Sequence, residues 1–157
     1  MRRTDRQLTD PARIEAILAG CDCCRLGLCA GGQPYVVPLS FGYEWEEGRL
    51  TLYFHCAREG RKLDYIAQNP RAAFEMDTSR RYLTAGTPCG WSMEYESLMG
   101  EGTITLAAAP EQKRRGLSLL MAHAGYEGEM AFPDAALAAV EVLVLRVECY
   151  SAKANRQ

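Results

Sequence analysis

The sequence predicts a mostly β protein, a small antiparallel barrel with peripheral helices. Roughly six segments have strand patterns, turn residues recur between them at short intervals, and only a few segments have helical spacing. A chain of 157 residues buries about two-thirds of its unfolded surface in one core. We therefore expect a single domain over residues 1–157.

The chain begins with a short helix. Asp10 followed by Pro11 is typical of an N-cap with proline in the first turn, and Gly20 is a plausible stop. Apolar residues with helical spacing lie between them at Ile14, Ile17 and Leu18. This face should pack against the sheet.

A hairpin follows the helix. The strand pattern over residues 23–29 ends at Gly31 and Gly32, and residues 35–43 are its predicted partner. Pro38 falls inside that partner strand. Because proline cannot donate to a strand ladder, this position is an edge, a bulge or a place where another group approaches the backbone.

The middle of the chain predicts a strand, a basic loop and a second helix. A turn at residues 46–48 leads into a strand over 49–56, and a loop over 58–62 opens the helix. Asn69 and Pro70 end that helix, since the residue before proline disfavours helical geometry. Residues 71–77 form the next strand pattern.

The second half predicts two long strands around one helix. Residues 93–106 read as one strand with a kink at Gly100 or Gly102, and residues 110–124 have an amphipathic helical pattern. The final strand, 140–147, is almost continuously apolar, which favours burial on both faces.

Charge and hydropathy exclude several classes of function. A net charge of −2 argues against a general nucleic-acid binder. No apolar run approaches the ~18 residues of a membrane span, and no signal-peptide pattern follows the basic start, so we expect a cytoplasmic protein. Two basic clusters are expected to be solvated faces: Arg2, Arg3 and Arg6, and Lys113, Arg114 and Arg115.

The seven cysteines predict free thiols rather than a disulfide framework, because the count is odd and no secretion signal is present. Cys21, Cys23 and Cys24 lack the two paired C-x-x-C halves of ordinary zinc sites, and no histidine lies near them in the sequence. We interpret them as small buried apolar residues, with metal binding and redox sensing as alternatives.

Known catalytic motifs are missing from the sequence. It contains no G-x-S-x-G elbow, Walker loop, H-E-x-x-H or G-x-G-x-x-G fingerprint. Of the two histidines, His123 ends a helix, where a surface or capping role is expected. A nucleophile pair of His55 and Cys56 is disfavoured, because adjacent strand residues face opposite sides.

The basic loop predicts an anion site. Arg61 and Lys62 stand where the second helix begins, beside amides without intrahelical acceptors. Arginine offers a bidentate fork and lysine a point charge, which together suit a phosphate. The alternative is a solvated loop that carries three cations, Arg58, Arg61 and Lys62, and binds no anion.

The sequence resembles the pyridoxamine 5′-phosphate oxidase-like flavin proteins, and within them it looks most like the nitroimidazole-reductase (antibiotic-resistance) branch. The most specific motifs are Arg25-Leu26, Tyr35-Val-Val-Pro-Leu-Ser-Phe-Gly-Tyr43, Leu52-Tyr-Phe-His-Cys-Ala57, Glu59-Gly-Arg-Lys62 and Asn69-Pro-Arg71. The opening Met1-Arg-Arg-Thr-Asp-Arg6, the later Trp91-Ser-Met-Glu-Tyr-Glu-Ser-Leu-Met-Gly-Glu-Gly102 and Pro110-Glu-Gln-Lys-Arg-Arg115 also match. The resemblance spans nearly the whole chain.

The resemblance implies an FMN-binding split β-barrel that forms a homodimer, with FMN at the subunit interface. It implies that one strand runs along the isoalloxazine, through Val36, Val37, Pro38, Leu39 and Ser40. Positions that approach the phosphate and ribityl chain would be His55, Cys56, Arg61 and Lys62. Tyr95, Ser97 and Met99 share a strand face that would meet the flavin from the partner subunit.

We therefore expect an FMN-dependent oxidoreductase that reduces a small electron-poor substrate, with NAD(P)H or another reductant recharging the flavin. His55 would contact the flavin or act catalytically as a proton or hydrogen-bond donor. A partly apolar pocket is expected beside Phe41, Tyr43 and Trp91. The alternatives are a flavin-binding or redox-sensing protein without turnover, and a split barrel that holds haem.

Overall fold

The computed structural model describes residues 4–155, apart from the side chains of residues 79 and 80. The elements in chain order are a 3₁₀ turn (Thr4–Arg6), β1 (Gln7–Leu8), α1 (Pro11–Gly20), β2 (Cys24–Ala30), β3 (Gln33–Leu39), β4 (Gly42–Glu46), β5 (Arg49–Ala57), α2 (Arg61–Gln68), β6 (Arg71–Leu83), a 3₁₀ turn (Pro88–Gly90), β7 (Ser92–Leu106), α3 (Pro110–His123), α4 (Asp134–Ala139) and β8 (Val140–Asn155). Arg2 and Arg3 of the first basic cluster lie outside the described residues.

The strands form one antiparallel sheet in the order β3-β2-β6-β7-β8-β5-β4, and β1 pairs with β8. The path begins and ends with two strands that are consecutive in the chain. Side chains from both ends, Val37 of β3 and Trp45 of β4, pack against the same apolar cluster. The sheet must therefore curve around one core, which confirms the predicted mostly β class with peripheral helices.

The side chains of β5 alternate between the core and the outer face of the sheet. In β5, Leu50, Leu52, Phe54 and Cys56 point into the core, while Tyr53 packs outward with Val142 and Val144 beneath α3. The middle of β5 is apolar on both faces, because Tyr53 is covered on the outer side.

The local signals for α1 are confirmed. Asp10 caps the helix, with its Oδ1 accepting from the Ala12 amide at 3.1 Å. Ile14, Ile17 and Leu18 are buried in the barrel core. Among the described residues, no helix has the length and apolar character needed to cross a membrane.

The predicted strand 35–43 is two strands instead of one. β3 ends at Leu39 and β4 begins at Gly42, with Phe41 between them at 1% exposure in the core. The chain changes direction there because Gly42 lies against the backbone of α3, where any side chain would clash. Together with the two-residue β1, this break raises the strand count from the expected six or so to eight in the described chain.

The final strand is longer than predicted. β8 runs to Asn155, because its polar second half pairs with β7 and β1. β7 has its expected irregularity at Glu101 and Gly102, where its register against β8 shifts. The polar half has no apolar signature, because its side chains are exposed or half-buried apart from Ala152, which lies in the core.

The cluster on α3 is not a simple solvated face, contrary to expectation. Lys113 pairs with Glu141 at 2.9 Å, Arg114 with Asp134 at 2.6 Å, and Arg115 with Glu44. These ion pairs attach α3 to three other elements. The helix is therefore fixed over β4 and the start of β8.

The cysteines divide by exposure. Cys21 and Cys24 are buried in the core, as predicted for small apolar residues, and Cys23 is half-buried. Burial raises the pKa of the Cys21 thiol to about 11, and it raises the pKa of Cys24 still further. Cys29, Cys89 and Cys149 are exposed.

Candidate cofactor site

The outer edge of β3 is open. Within residues 4–155, β3 pairs only with β2, so its second backbone edge has no strand partner. Val36 is 63% exposed, and Pro38 and the following Ser40 are also exposed. The predicted edge position of Pro38 is confirmed. The free backbone amides and carbonyls of this edge can form hydrogen bonds with a flat ligand that lies along it.

The start of α2 offers open amides. Gly60 precedes the helix with φ 138°, and its carbonyl accepts from the amides of Leu63 at 2.9 Å and Asp64 at 3.4 Å. No side chain caps the helix. The amides of Arg61 and Lys62 are therefore at the open, positive end of the helix, which suits an anion.

Arg61 joins α2 to β3. Its guanidinium carbon lies 4.6 Å from the ring centroid of Tyr35 on β3 and 5.0 Å from that of Tyr65 on α2. Nη2 also donates to the Tyr65 hydroxyl at 2.8 Å, and this hydrogen bond raises the pKa of Arg61. The open edge and the helix terminus, predicted separately from the sequence, are thus in direct contact.

Lys62 and Cys56 are neighbours on the other side of the helix start. Lys62 is half-buried and makes no ion pair or hydrogen bond with any described residue. Burial raises the pKa of the Cys56 thiol, while the Lys62 charge opposes that shift. The Cys56 side chain is only 6% exposed and packs in the core, so a ligand at the surface meets its backbone rather than its sulfur.

His55 faces outward. It lies opposite Val142 in the β5–β8 register, and its side chain is exposed with no hydrogen bond to a described residue. Its neighbour Cys56 points inward, as alternation along a strand requires. The imidazole is therefore available to a ligand near the end of β5.

Sequence reasoning missed an ion-pair group below this loop. Glu141 of β8, whose side chain is 16% exposed, lies 2.9 Å from Lys113 and 3.7 Å from Arg58. Lys113 also donates to the Val140 carbonyl at 2.8 Å. The sequence signal for this ion-pair group is Glu141 itself, a glutamate inside a valine-rich strand. A carboxylate that is buried in such a strand needs a cationic partner.

Tyr95 and Ser97 do not join this group within one chain. They lie on β7 with exposed Met99, on the outer face of the sheet. Three strand spacings separate β7 from β3, which is about 15 Å across the sheet. Within one chain, Tyr95 and Ser97 are therefore separated from the open edge of β3.

The structure does not bring Phe41, Tyr43 and Trp91 together around one pocket: Tyr43 lines a cavity with Trp45 and His123, and Trp91 lines a different one. Phe41 is buried with its ring centroid 4.4 Å from that of His123, whereas Trp91 of the β6–β7 loop packs on Tyr82 of β6. His123 is also not the surface or capping residue that was expected. Its Nε2 lies 2.8 Å from the Cys21 carbonyl oxygen, so the ring is a packing element between α3 and the core.

Comparisons with known proteins match nearly the whole chain. Residues 10–155 match the protein family described as pyridoxamine 5′-phosphate oxidase. A candidate 5-nitroimidazole antibiotic resistance protein of Bacteroides thetaiotaomicron is 30% identical, with 96% of this chain and 90% of that chain covered and a TM-score of 0.79. No curated protein is significantly similar in sequence.

Two further structures share the fold. The FAD and heme binding protein of Mycobacterium smegmatis has a TM-score of 0.81 at 23% identity, covering 97% of this chain and 74% of that one. The flavocytochrome Anf3 of Azotobacter vinelandii also has a TM-score of 0.81, at 19% identity, covering 100% of this chain and 72% of that one. At these identities the likeness concerns the fold alone.

Proposed function

This chain belongs to the pyridoxamine 5′-phosphate oxidase family, a family of flavin-binding split barrels, and we propose that it uses FMN to reduce a small electron-poor substrate. The observation that carries the proposal is the contact of Arg61 with Tyr35, which joins an open strand edge to an uncapped helix start. FMN has two parts that correspond to these features. Its flat ring would lie along the strand edge, and its phosphate would lie at the helix start.

The residues present fit FMN. The β3 edge from Val36 to Ser40 would bind the ring through backbone groups, and the α2 amides with Arg61 and Lys62 would bind the phosphate. Bound FMN would supply the electron transfer. The chain itself would orient the ring, hold the phosphate and limit access of water.

His55 would act beside the ring. It is exposed at the end of β5 and makes no hydrogen bond to a described residue. An imidazole in that position can hold a proton for a reduced acceptor or donate a hydrogen bond to it. This gives His55 a role distinct from that of the phosphate-binding residues.

The complete site would form in a cytoplasmic homodimer of single-domain subunits. Tyr95 and Ser97 lie three strand spacings from β3 in one chain, and their outer face carries exposed Met99. A second subunit would bring that face to the flavin. The acceptor class is suggested by the 30% identity to the candidate 5-nitroimidazole antibiotic resistance protein.

An absorption spectrum of the purified protein, followed by anaerobic reduction, tests the proposal. We expect a flavin band near ~450 nm and FMN binding at micromolar or lower concentration. NAD(P)H or dithionite should bleach the band, and a nitroimidazole should restore it. A protein that binds no FMN would overturn the proposal. A Soret band near ~400 nm would assign haem instead. A reduced flavin that no acceptor reoxidises would indicate binding without turnover.

A further inference from the structure

Two tyrosines from different elements hold the Arg61 side chain. Tyr35 is on β3 and Tyr65 on α2, and their rings lie 5.4 Å apart at an interplanar angle of 59°. The guanidinium lies within 5.0 Å of both ring centroids, inside the range of a cation–π contact. The Tyr65 hydroxyl additionally accepts a hydrogen bond from Nη2.

Arg61 has no carboxylate partner among the described residues, unlike several arginines elsewhere in the chain. Arg25 is bound by Glu75 and Asp77, Arg71 by Glu148, and Arg115 by Glu44. The Arg61 charge is fixed in place by aromatic rings but is not neutralised. One of its five N–H donors is used, so the others remain free for an anion.

A fixed guanidinium binds an anion more tightly than a mobile one. A free arginine side chain has many rotamers, and ordering it on binding opposes association. Here the ordering has already occurred through contacts that leave the charge intact. The two tyrosine rings therefore add nothing to the affinity for a ligand that has no anionic group.

We propose that Tyr35 and Tyr65 are positioning residues that hold the Arg61 guanidinium ready for the cofactor phosphate. This inference rests on the proposed binding of FMN and adds a prediction of its own. The tyrosines should favour FMN over riboflavin, which has the same ring but no phosphate. They act through Arg61 and need not touch the flavin.

The test compares affinities for FMN and riboflavin by quenching of flavin fluorescence. Tyr65→Phe keeps the ring and removes the hydroxyl, so FMN affinity should fall about three- to tenfold while riboflavin affinity is unchanged. Tyr35→Leu removes the ring face and should act in the same direction. Tyr35→Phe is the matched control, because the Tyr35 hydroxyl bonds to no described residue and the ring is kept.

Non-additivity separates positioning from general stabilisation of the fold. In Arg61→Ala, adding Tyr65→Phe should cause no further loss of FMN affinity, because Tyr65 acts only through the missing guanidinium. Additive losses, or equal losses for FMN and riboflavin, would overturn the inference. Urea unfolding of each variant confirms that the comparison is made between folded proteins.

The same titrations distinguish the two levels of proposal. If the wild-type chain binds neither flavin, the proposed function fails and this inference fails with it. If the wild-type chain prefers FMN and Tyr65→Phe keeps that preference, the flavin function stands and only the positioning role is wrong. Unchanged FMN affinity in Arg61→Ala likewise removes Arg61 from the phosphate site.

Discussion

Gly42 of β4 lies directly against the backbone of Leu120 in α3. A Cβ at Gly42 would lie 2.5 Å from the carbonyl carbon of Leu119 and would also clash with the Leu120 amide. Backbone atoms within a helix cannot move aside as a flexible side chain can. The glycine therefore sets how closely α3 covers the sheet.

Gly42→Ala is accordingly expected to destabilise the fold by about 1–3 kcal/mol, as overpacking usually does. The free energy of unfolding in urea measures the effect. Gly86→Ala is the control, since a Cβ at Gly86 meets nothing within 4 Å. Equal stability of the two variants would contradict the close contact.

Replacing both Arg61 and Lys62 by Ala should weaken FMN binding about tenfold or more, because two charge-assisted contacts to the phosphate are lost. Riboflavin binding should change little. Arg49→Ala removes an exposed arginine elsewhere and should leave both affinities unchanged. An unaffected FMN affinity in the first variant would move the phosphate site away from α2.

His55→Gln should lower turnover about tenfold or more while FMN affinity stays within about threefold, because a proton donor contributes to the reaction rather than to the resting complex. Stopped-flow reoxidation of the reduced protein by a nitroimidazole measures the rate. The opposite pattern, weaker FMN binding with an unchanged rate in the loaded protein, would make His55 a flavin-holding residue only.

The raised pKa of Tyr53 predicts that the protein loses stability at alkaline pH. Burial, with the hydrogen bond to Glu44 and the Glu44 charge, raises the pKa of Tyr53 to about 12. A folded-state pKa above the ordinary value of ~10 means that the folded state retains the proton more strongly. The contribution of Tyr53 to the free energy of unfolding is therefore fully present below pH ~10 and is lost as the pH rises toward ~12.

The stability advantage of wild type over Tyr53→Phe should therefore shrink by about 2 kcal/mol between pH 9 and pH 12. Urea unfolding at several pH values gives both free energies. Taking the difference between the two proteins cancels the other groups that titrate in this range. A constant difference would show that Tyr53 titrates normally.

Thiol labelling should follow the division of the cysteines. Iodoacetamide at pH 8 should modify exposed Cys29 and Cys89 in the native protein. Cys21 and Cys24 should react only after unfolding, because they are buried and their thiol pKa values are raised. Modification of Cys21 at the rate of Cys29, measured by peptide mass spectrometry, would contradict the buried position.

The sequence predicted those parts of the fold that are determined locally. Asp10 and Pro11 specify where α1 begins, and Gly31 and Gly32 form the turn between β2 and β3. The break after Leu39 was not predicted, because its cause is Gly42 packing on a helix nearly eighty residues later in the chain. Local patterns contain no information about such a contact.

The candidate site shows the same limit. The cations at the start of α2 and the edge position of Pro38 could be predicted, because helix starts and prolines have local signatures. The contact of Arg61 with Tyr35 could not, since it depends on how α2 packs beside β3. The role of Lys113 was missed for the same reason, because its partner Glu141 is on a different element.

The two prolines of β3 have a consequence for solubility. An exposed strand edge is a template on which another chain can add a strand, and repeated addition leads to aggregates. Pro34 and Pro38 remove two amide donors from β3, which interrupts the regular ladder that a second chain would need. The edge can therefore stay accessible to a small ring while it discourages growth into fibrils.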